Sequence, residues 1–280
     1  MRFAMVDSVS VPGGDLNEDA FAAEPVGAVV IDGATPVSEP LMPGKSDAAW
    51  LATFGVRRLM SHLKTGDSPR GALRHALADA ERSFAGLRRR APAHRYEVPC
   101  ASMMFVVPSA DGFDALWYGD CSALFLRPGE TGLVVGTAMT ARGAESDNAA
   151  RLMREKAIAP VEAAKRADIL PFFRDSRARV NTPGGTWLFS PVAEASEHVA
   201  RKKLTAPSGT LVLLASDGFL ALASDYGCYD VTGLIAAARD RGLKALAEQL
   251  RAVEDGDPQG MQFPRFKKSD DATAVLLELV

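Results

Sequence analysis

Cysteine is scarce in this chain of 280 residues: Cys100, Cys121 and Cys228 are odd in number and lack the close spacings that hold metals. That argues against a disulfide framework and a thiolate metal site. A reduced, cytoplasmic setting is expected, with the cysteines as small core residues. Long hydrophobic runs are missing as well, and no stretch approaches a membrane span. The opening "MRFAMVDSVSVPGG" has one arginine and too short an apolar stretch for a secretory signal. Charge of one sign does not dominate either. A formal net charge of −3 gives no reason to expect nucleic acid or a membrane as partner. Internal repeats and low-complexity linkers are absent.

What remains is an ordinary globular composition, 47% hydrophobic and 24% charged, with ample material for a core. Short apolar stretches bounded by Gly, Pro or Asp predict strands at 27–31, 101–107, 113–119, 122–126, 132–136, 210–215 and 272–279. Helical spacing predicts a pair of helices from Asp47 and from Ser68-Pro69, and a second pair at 231–238 and 242–254. Residues 147–175 read as helix-like but strongly charged, a solvated insertion. Strands follow one another in the middle while helices come in pairs at either side. The expected class is therefore α+β, with antiparallel sheets covered by helix pairs, in a single domain over 1–280 with a variable region around 140–185.

Acids recur where strands end. "VVIDGAT" carries Asp32 before Gly33, and "LLASDGFLAL" carries Asp217 before Gly218. "YGDCSALFL" places Asp120 at a tight break, "KKSDDATAVLLEL" puts Asp270 and Asp271 before the last strand, and "DLNEDAF" adds Glu18 and Asp19. Each alone has a plain explanation as a turn or surface acid. Together they describe carboxylates that sheet strands can bring to one place, where they repel unless protonated or neutralised. Hard divalent cations such as Mg²⁺ or Mn²⁺ prefer such oxygen ligands.

In this order the motifs "NEDAF", "VVIDGAT", "YGDCSALFL", "LLASDGFLAL" and "SDDATAVLLEL" resemble those of the protein phosphatase 2C (PPM) family, over nearly the whole chain. The resemblance implies a four-layer αββα sandwich and a divergent, bacterial-type phosphatase dependent on Mg²⁺ or Mn²⁺. Such an enzyme acts on phosphoserine and phosphothreonine in proteins through a metal-bridging hydroxide. Carried over residue by residue, Asp32 would bridge two ions, with the Gly33 carbonyl as a further ligand. Glu18 would bind the second ion and Asp19 would hydrogen-bond its water. Asp217 and Asp270 would complete the first ion's shell, with Asp271, where many relatives have Asn, behind them. Asp120 matches a position that helps hold a third ion in some members.

Three departures follow. Gly14 stands where many members have the arginine that grips substrate phosphate. Arg2, Arg142, Arg174, Arg177 and Arg265 are the alternatives, Arg174 and Arg177 being those in the unusual stretch "RDSRARVNTPGGTW". That stretch reads as a structural turn followed by a strand from Trp187, or else as a substrate-side flap. Ala34 replaces a histidine proposed as general acid in some relatives. His62, His75, His94 and His198 all fall outside the motifs, which leaves leaving-group protonation to metal-bound water. Ala221 replaces an acid that supports the third ion, so two ions are expected and a third is doubtful. The alternatives are a phosphatase for a small phosphorylated molecule and a pseudophosphatase kept as a regulatory binding partner.

Overall fold

In a computed structural model the protein is described over residues 1–137 and 170–280. Two antiparallel five-stranded sheets form its centre. One sheet has the order β1 (Phe3–Val11), β10 (Ala272–Leu279), β9 (Leu211–Ala215), β6 (Ser122–Leu126), β7 (Leu133–Val135). The other runs β2 (Asp19–Glu24), β3 (Gly27–Gly33), β4 (Ala101–Ser109), β5 (Gly112–Tyr118), β8 (Ala200–Thr205). Helices α1 (Asp47–Lys64) and α2 (Pro69–Leu87) pack on the second sheet. On the first lie α4 (Asp217–Ser224), α5 (Val231–Arg241) and α6 (Leu243–Gly256), and α3 (Leu170–Ala178) stands apart.

The period of two along each strand builds the layers. In β3, Ala28 and Val30 face the other sheet, while Val29 and Ile31 face α1 and α2. In β9, Val212 and Leu214 point between the sheets, and Leu211 and Leu213 meet α4, α5 and α6. Central strands are thus covered on both faces, which is why they read as unbroken apolar runs. Each fully buried Val or Leu contributes about 1.5–3 kcal/mol of transfer free energy. The αββα sandwich expected from the sequence is the architecture present.

Several local expectations are corrected. Residues 3–11, 19–24 and 200–205 are strands that the apolar pattern misses, because they are edge or half-exposed: β8 reads "ARKKLT", with all but Leu204 on the surface. Trp187 begins no strand; the pairing there is a single bridge between Phe189 and Ala101. "DGFLALAS", for which the sequence reading placed no element, forms the helix α4, buried nearly all round and so without a polar stripe. The charged stretch 147–175 lies mostly outside the described residues, as does Arg142; its last part opens α3. Among the described residues no helix is long and apolar enough to cross a membrane.

Candidate metal centre

One end of the sandwich collects the acids. Asp19 and Asp32 are register partners across the β2–β3 ladder. Side chains so paired stand about 4.5–5.5 Å apart at Cβ, where like charges destabilise a sheet. Asp120, in the break between β5 and β6, accepts a 2.6 Å hydrogen bond from Ser102 Oγ on β4, and Ser102 is the register partner of Asp32. Asp217 opens α4. Carboxylate oxygens of Asp32, Asp120 and Asp217 all lie within 4.8 Å of one another.

Hydroxyls and backbone fix the neighbouring acids. Ser216 precedes α4, and its Oγ donates to Asp19 Oδ2 at 2.9 Å rather than capping the helix. Ser46 caps α1, accepting from Ala48 and Ala49 N–H, and donates to Glu18 Oε1. The positive end of α1 therefore faces Glu18. Asp271 accepts from Gly13 N–H at 2.7 Å and from Glu18 N–H at 2.6 Å. Both carboxylate oxygens are used as acceptors, one for each N–H. Arg251 donates to the Asp270 carbonyl at 2.8 Å and ties that loop to α6.

Glycine follows two of the acids because the backbone passes too close for a side chain. A Cβ at Gly33 would stand 2.6 Å from the Glu18 carbonyl oxygen, and one at Gly218 would stand 2.1 Å from that of Asp271. Gly218→Ala is expected to destabilise the protein by about 3 kcal/mol through this overlap, read as a lower urea midpoint. An unchanged midpoint would mean the two segments are not so closely apposed.

The electrostatics match the geometry. Burial, then the charges of Asp271 and Asp270, push the Asp19 carboxyl up to about 8. Burial, then Asp19, Asp217, Asp270 and Asp120, raise Asp32 well above the usual carboxylate range. Burial raises Glu18 too, against hydrogen bonds from Ser46 and Thr35. Lys267 stands among these acids, its Nζ 2.9 Å from Asp270 Oδ1 and 2.8 Å from Thr35 Oγ1. Burial opposes its charge, but Asp270 and the further acids hold it firmly protonated. Sequence reading missed Lys267; its signal was a cation three residues before Asp270. Asp32, Gly33, Asp120, Asp217, Asp270, Lys267 and Arg177 share one cavity of about 290 Å³, while Glu18 lines an adjoining one with Asp270 and Asp271.

The candidate arginines sort by position. Arg177 donates to the carbonyls of Ala34 and Thr35, at 3.4 and 3.2 Å, and lines the cavity. Arg174 donates to the Val37 carbonyl and lies over the Tyr96 ring, outside that lining. Arg2 pairs by backbone with Val280, at the far end of β1 from the acids. Arg265 is bound to Asp257 and nearby carbonyls. The Cys121 thiol, below the centre, is buried and held neutral by burial and the acids above it.

Divalent ions fit these residues on two counts. The donors are carboxylate oxygens, which hard cations prefer. Asp19 Oδ1 is buried without a hydrogen-bond partner among the described residues, a costly state that a cation or its water relieves.

This is the end-of-sandwich acidic centre of a PPM-type fold, and solved structures bear out the fold. No protein-family profile matches the chain, and no curated protein does. The chain is similar to the PPM Ser-Thr phosphatase MsPP from Mycobacterium smegmatis, solved with cacodylate: 16% identity, TM-score 0.55, covering 99% of this chain and 100% of that one. It is also similar to the catalytic domain of the serine threonine phosphatase PstP in complex with 2 manganese ions: 17% identity, TM-score 0.53, covering 100% and 98%. The serine/threonine phosphatase Stp1 from Staphylococcus aureus gives 13% identity and TM-score 0.52, covering 99% and 96%. At such identities the likeness is one of fold.

Proposed function

We propose that the chain is a divalent-metal-dependent phosphomonoesterase that removes phosphate from phosphoserine and phosphothreonine in proteins. The observation that carries this reading is Asp19, with one buried oxygen unpartnered among the described residues, set opposite Asp32, beside Asp120 and Asp217 within metal-sharing distance of Asp32. Asp32, Asp217 and Asp270 would hold one Mg²⁺ or Mn²⁺; Asp32 and Glu18 would hold another, with the Gly33 carbonyl as a further ligand. Bound there, such ions lower the pKa of water and neutralise charge that builds on phosphoryl oxygens.

The chain's own residues do the rest. Asp19, held by Ser216, is placed to orient the attacking water through its second oxygen. Ser46 and Asp271 keep Glu18 at its station. Lys267 and Arg177 line the cavity beside the acids and would grip the substrate phosphate in place of the arginine missing at Gly14. Lys267→Gln and Arg177→Ala are each expected to raise KM for p-nitrophenyl phosphate about tenfold. A KM unchanged in both variants would remove them from substrate binding.

The test of the reading is p-nitrophenyl phosphate hydrolysis with and without Mn²⁺, followed by phosphopeptides against small phosphate esters. Preference for phosphopeptides supports the protein substrate. Gly14 favours a second reading, a small phosphorylated molecule as substrate, and preference for the esters would select it. Well-folded protein without metal-dependent turnover would make the chain a pseudophosphatase.

A further inference from the structure

A second group of metal-ligating side chains lies at the other end of α1. His62 is in the last turn of α1, Asp67 in the connection that follows, and His75 in the second turn of α2. One ligand atom from each lies within 4.8 Å of the other two. Fifteen residues separate Asp47 at the acidic end of α1 from His62, about 22 Å at helical rise. Nothing in this cluster belongs to the acidic centre, and the inference stands apart from the phosphatase reading.

The distances suit an ion. His62 Nδ1 faces Asp67 Oδ2 at 3.5 Å, too long for a hydrogen bond. Two ligand atoms on one tetrahedral zinc, each bound at about 2.0–2.1 Å, stand about 3.3 Å apart. His75 Nδ1 meets the same Asp67 Oδ2 at 2.7 Å. That is a hydrogen bond which must open by about half an ångström when an ion takes the proton's place.

The far side of His62 is built as a metal-bound imidazole requires. Its Nε2 lies 2.9 Å from Asp79 Oδ2 and 3.4 Å from the Arg58 guanidinium, so the carboxylate is the closer partner. Asp79 is itself clamped by Arg58 and Arg82. An ion-paired carboxylate can only accept, so Nε2 carries a proton, and Nδ1, directed toward Asp67, is the nitrogen left to face an ion. A carboxylate behind a histidine in this way fixes its tautomer and ring for a metal. Side-chain exposures of 19% for His62, 28% for Asp67 and 46% for His75 give an ion an entry path and leave room for water as fourth ligand.

We propose that His62, Asp67 and His75 form a separate zinc-type site that staples α1 to α2. Two imidazoles with one carboxylate select Zn²⁺ and its transition-metal neighbours over Mg²⁺. The ion crosslinks the two helices that cover the second sheet.

The full chain would be titrated with Co²⁺ in excess Mg²⁺, with the visible absorption of tetrahedral cobalt as readout. Melting temperature would then be followed with Zn²⁺. One equivalent of cobalt with a tetrahedral band is expected, together with a zinc-induced rise in melting temperature. His75→Ala and His62→Asn should lose both, while Asp79→Asn should weaken zinc binding about 10- to 100-fold. His75 is half-exposed, so His75→Ala should keep native circular dichroism and, being remote from the acids, native p-nitrophenyl phosphate turnover. Equal zinc stoichiometry and equal stabilisation in wild type and His75→Ala, or no tetrahedral band in wild type, would overturn the site and leave only an ion-pair network.

Discussion

Asp32→Ala is expected to lower Mn²⁺-dependent hydrolysis of p-nitrophenyl phosphate by about 10³-fold or more, and at pH 8 in EDTA to raise the melting temperature. The two effects have one cause. Asp32 faces Asp19 across the ladder, and its oxygens crowd against those of Asp120 and Asp217. On the proposed function it would be the ligand shared by two divalent ions. Its loss would then remove both the activation of water and the electrostatic stabilisation of the transition state, and the latter alone accounts for about 10²–10³ in comparable enzyme sites. Without ions, burying the same carboxyl at pH 8 costs either the repulsion of its charge or the uptake of a proton that the unfolded chain has released, and alanine relieves both. Residual turnover within tenfold of wild type, or a metal-free melting temperature well below wild type, would take Asp32 out of the centre.

Metal-free protein is expected to lose stability as pH rises from about 5 to 8, by about 2–4 kcal/mol, and Mn²⁺ should abolish that loss. The folded-state values of Asp19, Asp32 and Glu18 are all raised. A raised carboxyl keeps its proton in the folded state after the unfolded chain has released it. Its contribution is therefore complete below the unfolded value near 4 and is lost as pH climbs toward the folded value, about 8 for Asp19. Each pH unit between a group's unfolded and folded values is worth about 1.4 kcal/mol, discounted here because the acids share protons. The lowered group Glu97, held at about 2 by hydrogen bonds from Arg90, acts oppositely, but its effect is over by about pH 5. At this chain length the loss amounts to about 5–15 °C in melting temperature. Metal replaces the protons, so binding should tighten with pH and the Mn²⁺ curve should be flat or rising. A metal-free protein more stable at pH 8 than at pH 5 would mean that the acids are paired with cations when ions are absent.

How much of this was readable beforehand depends on whether a residue's neighbours are local. The strands buried on both faces, such as "AVVI" and "LVLL", announce themselves, and so do the acids that end them, because Asp-Gly after an apolar run is visible in one dimension. The helix pairs were visible through Ser68-Pro69 as cap and first turn and through the apolar stripes of their leucines, whereas Ser46 as the cap of α1 emerged only in the structure. The edge strands β1 and β8 were not, since solvent on their flanks removes the apolar signal and leaves Ser, Lys and Arg. Helix α4 was hidden for the opposite reason: buried on all sides, it has no periodicity to detect. Within the centre, the acids were foreseeable but not what steadies them. Ser216 reaches Asp19 from 197 residues away and Asp271 reaches Glu18 from 253, distances over which sequence alone carries no direction. Lys267 likewise meets Asp270 locally, but its contact with Thr35 spans 232 residues.

The first and last strands are zipped together, with Arg2 and Val280 exchanging backbone hydrogen bonds of 2.9 Å. That seam closes at the pole opposite the acids: β1 runs from Phe3 to Val11 beside β10, so its 8 steps carry the chain about 26 Å toward the cleft. A polypeptide grafted onto either extremity would therefore depart from a shared point on the rear of the molecule. To regulate or feed the cleft it would need a tether long enough to travel round the sandwich, whereas a short graft would leave the cleft unobstructed.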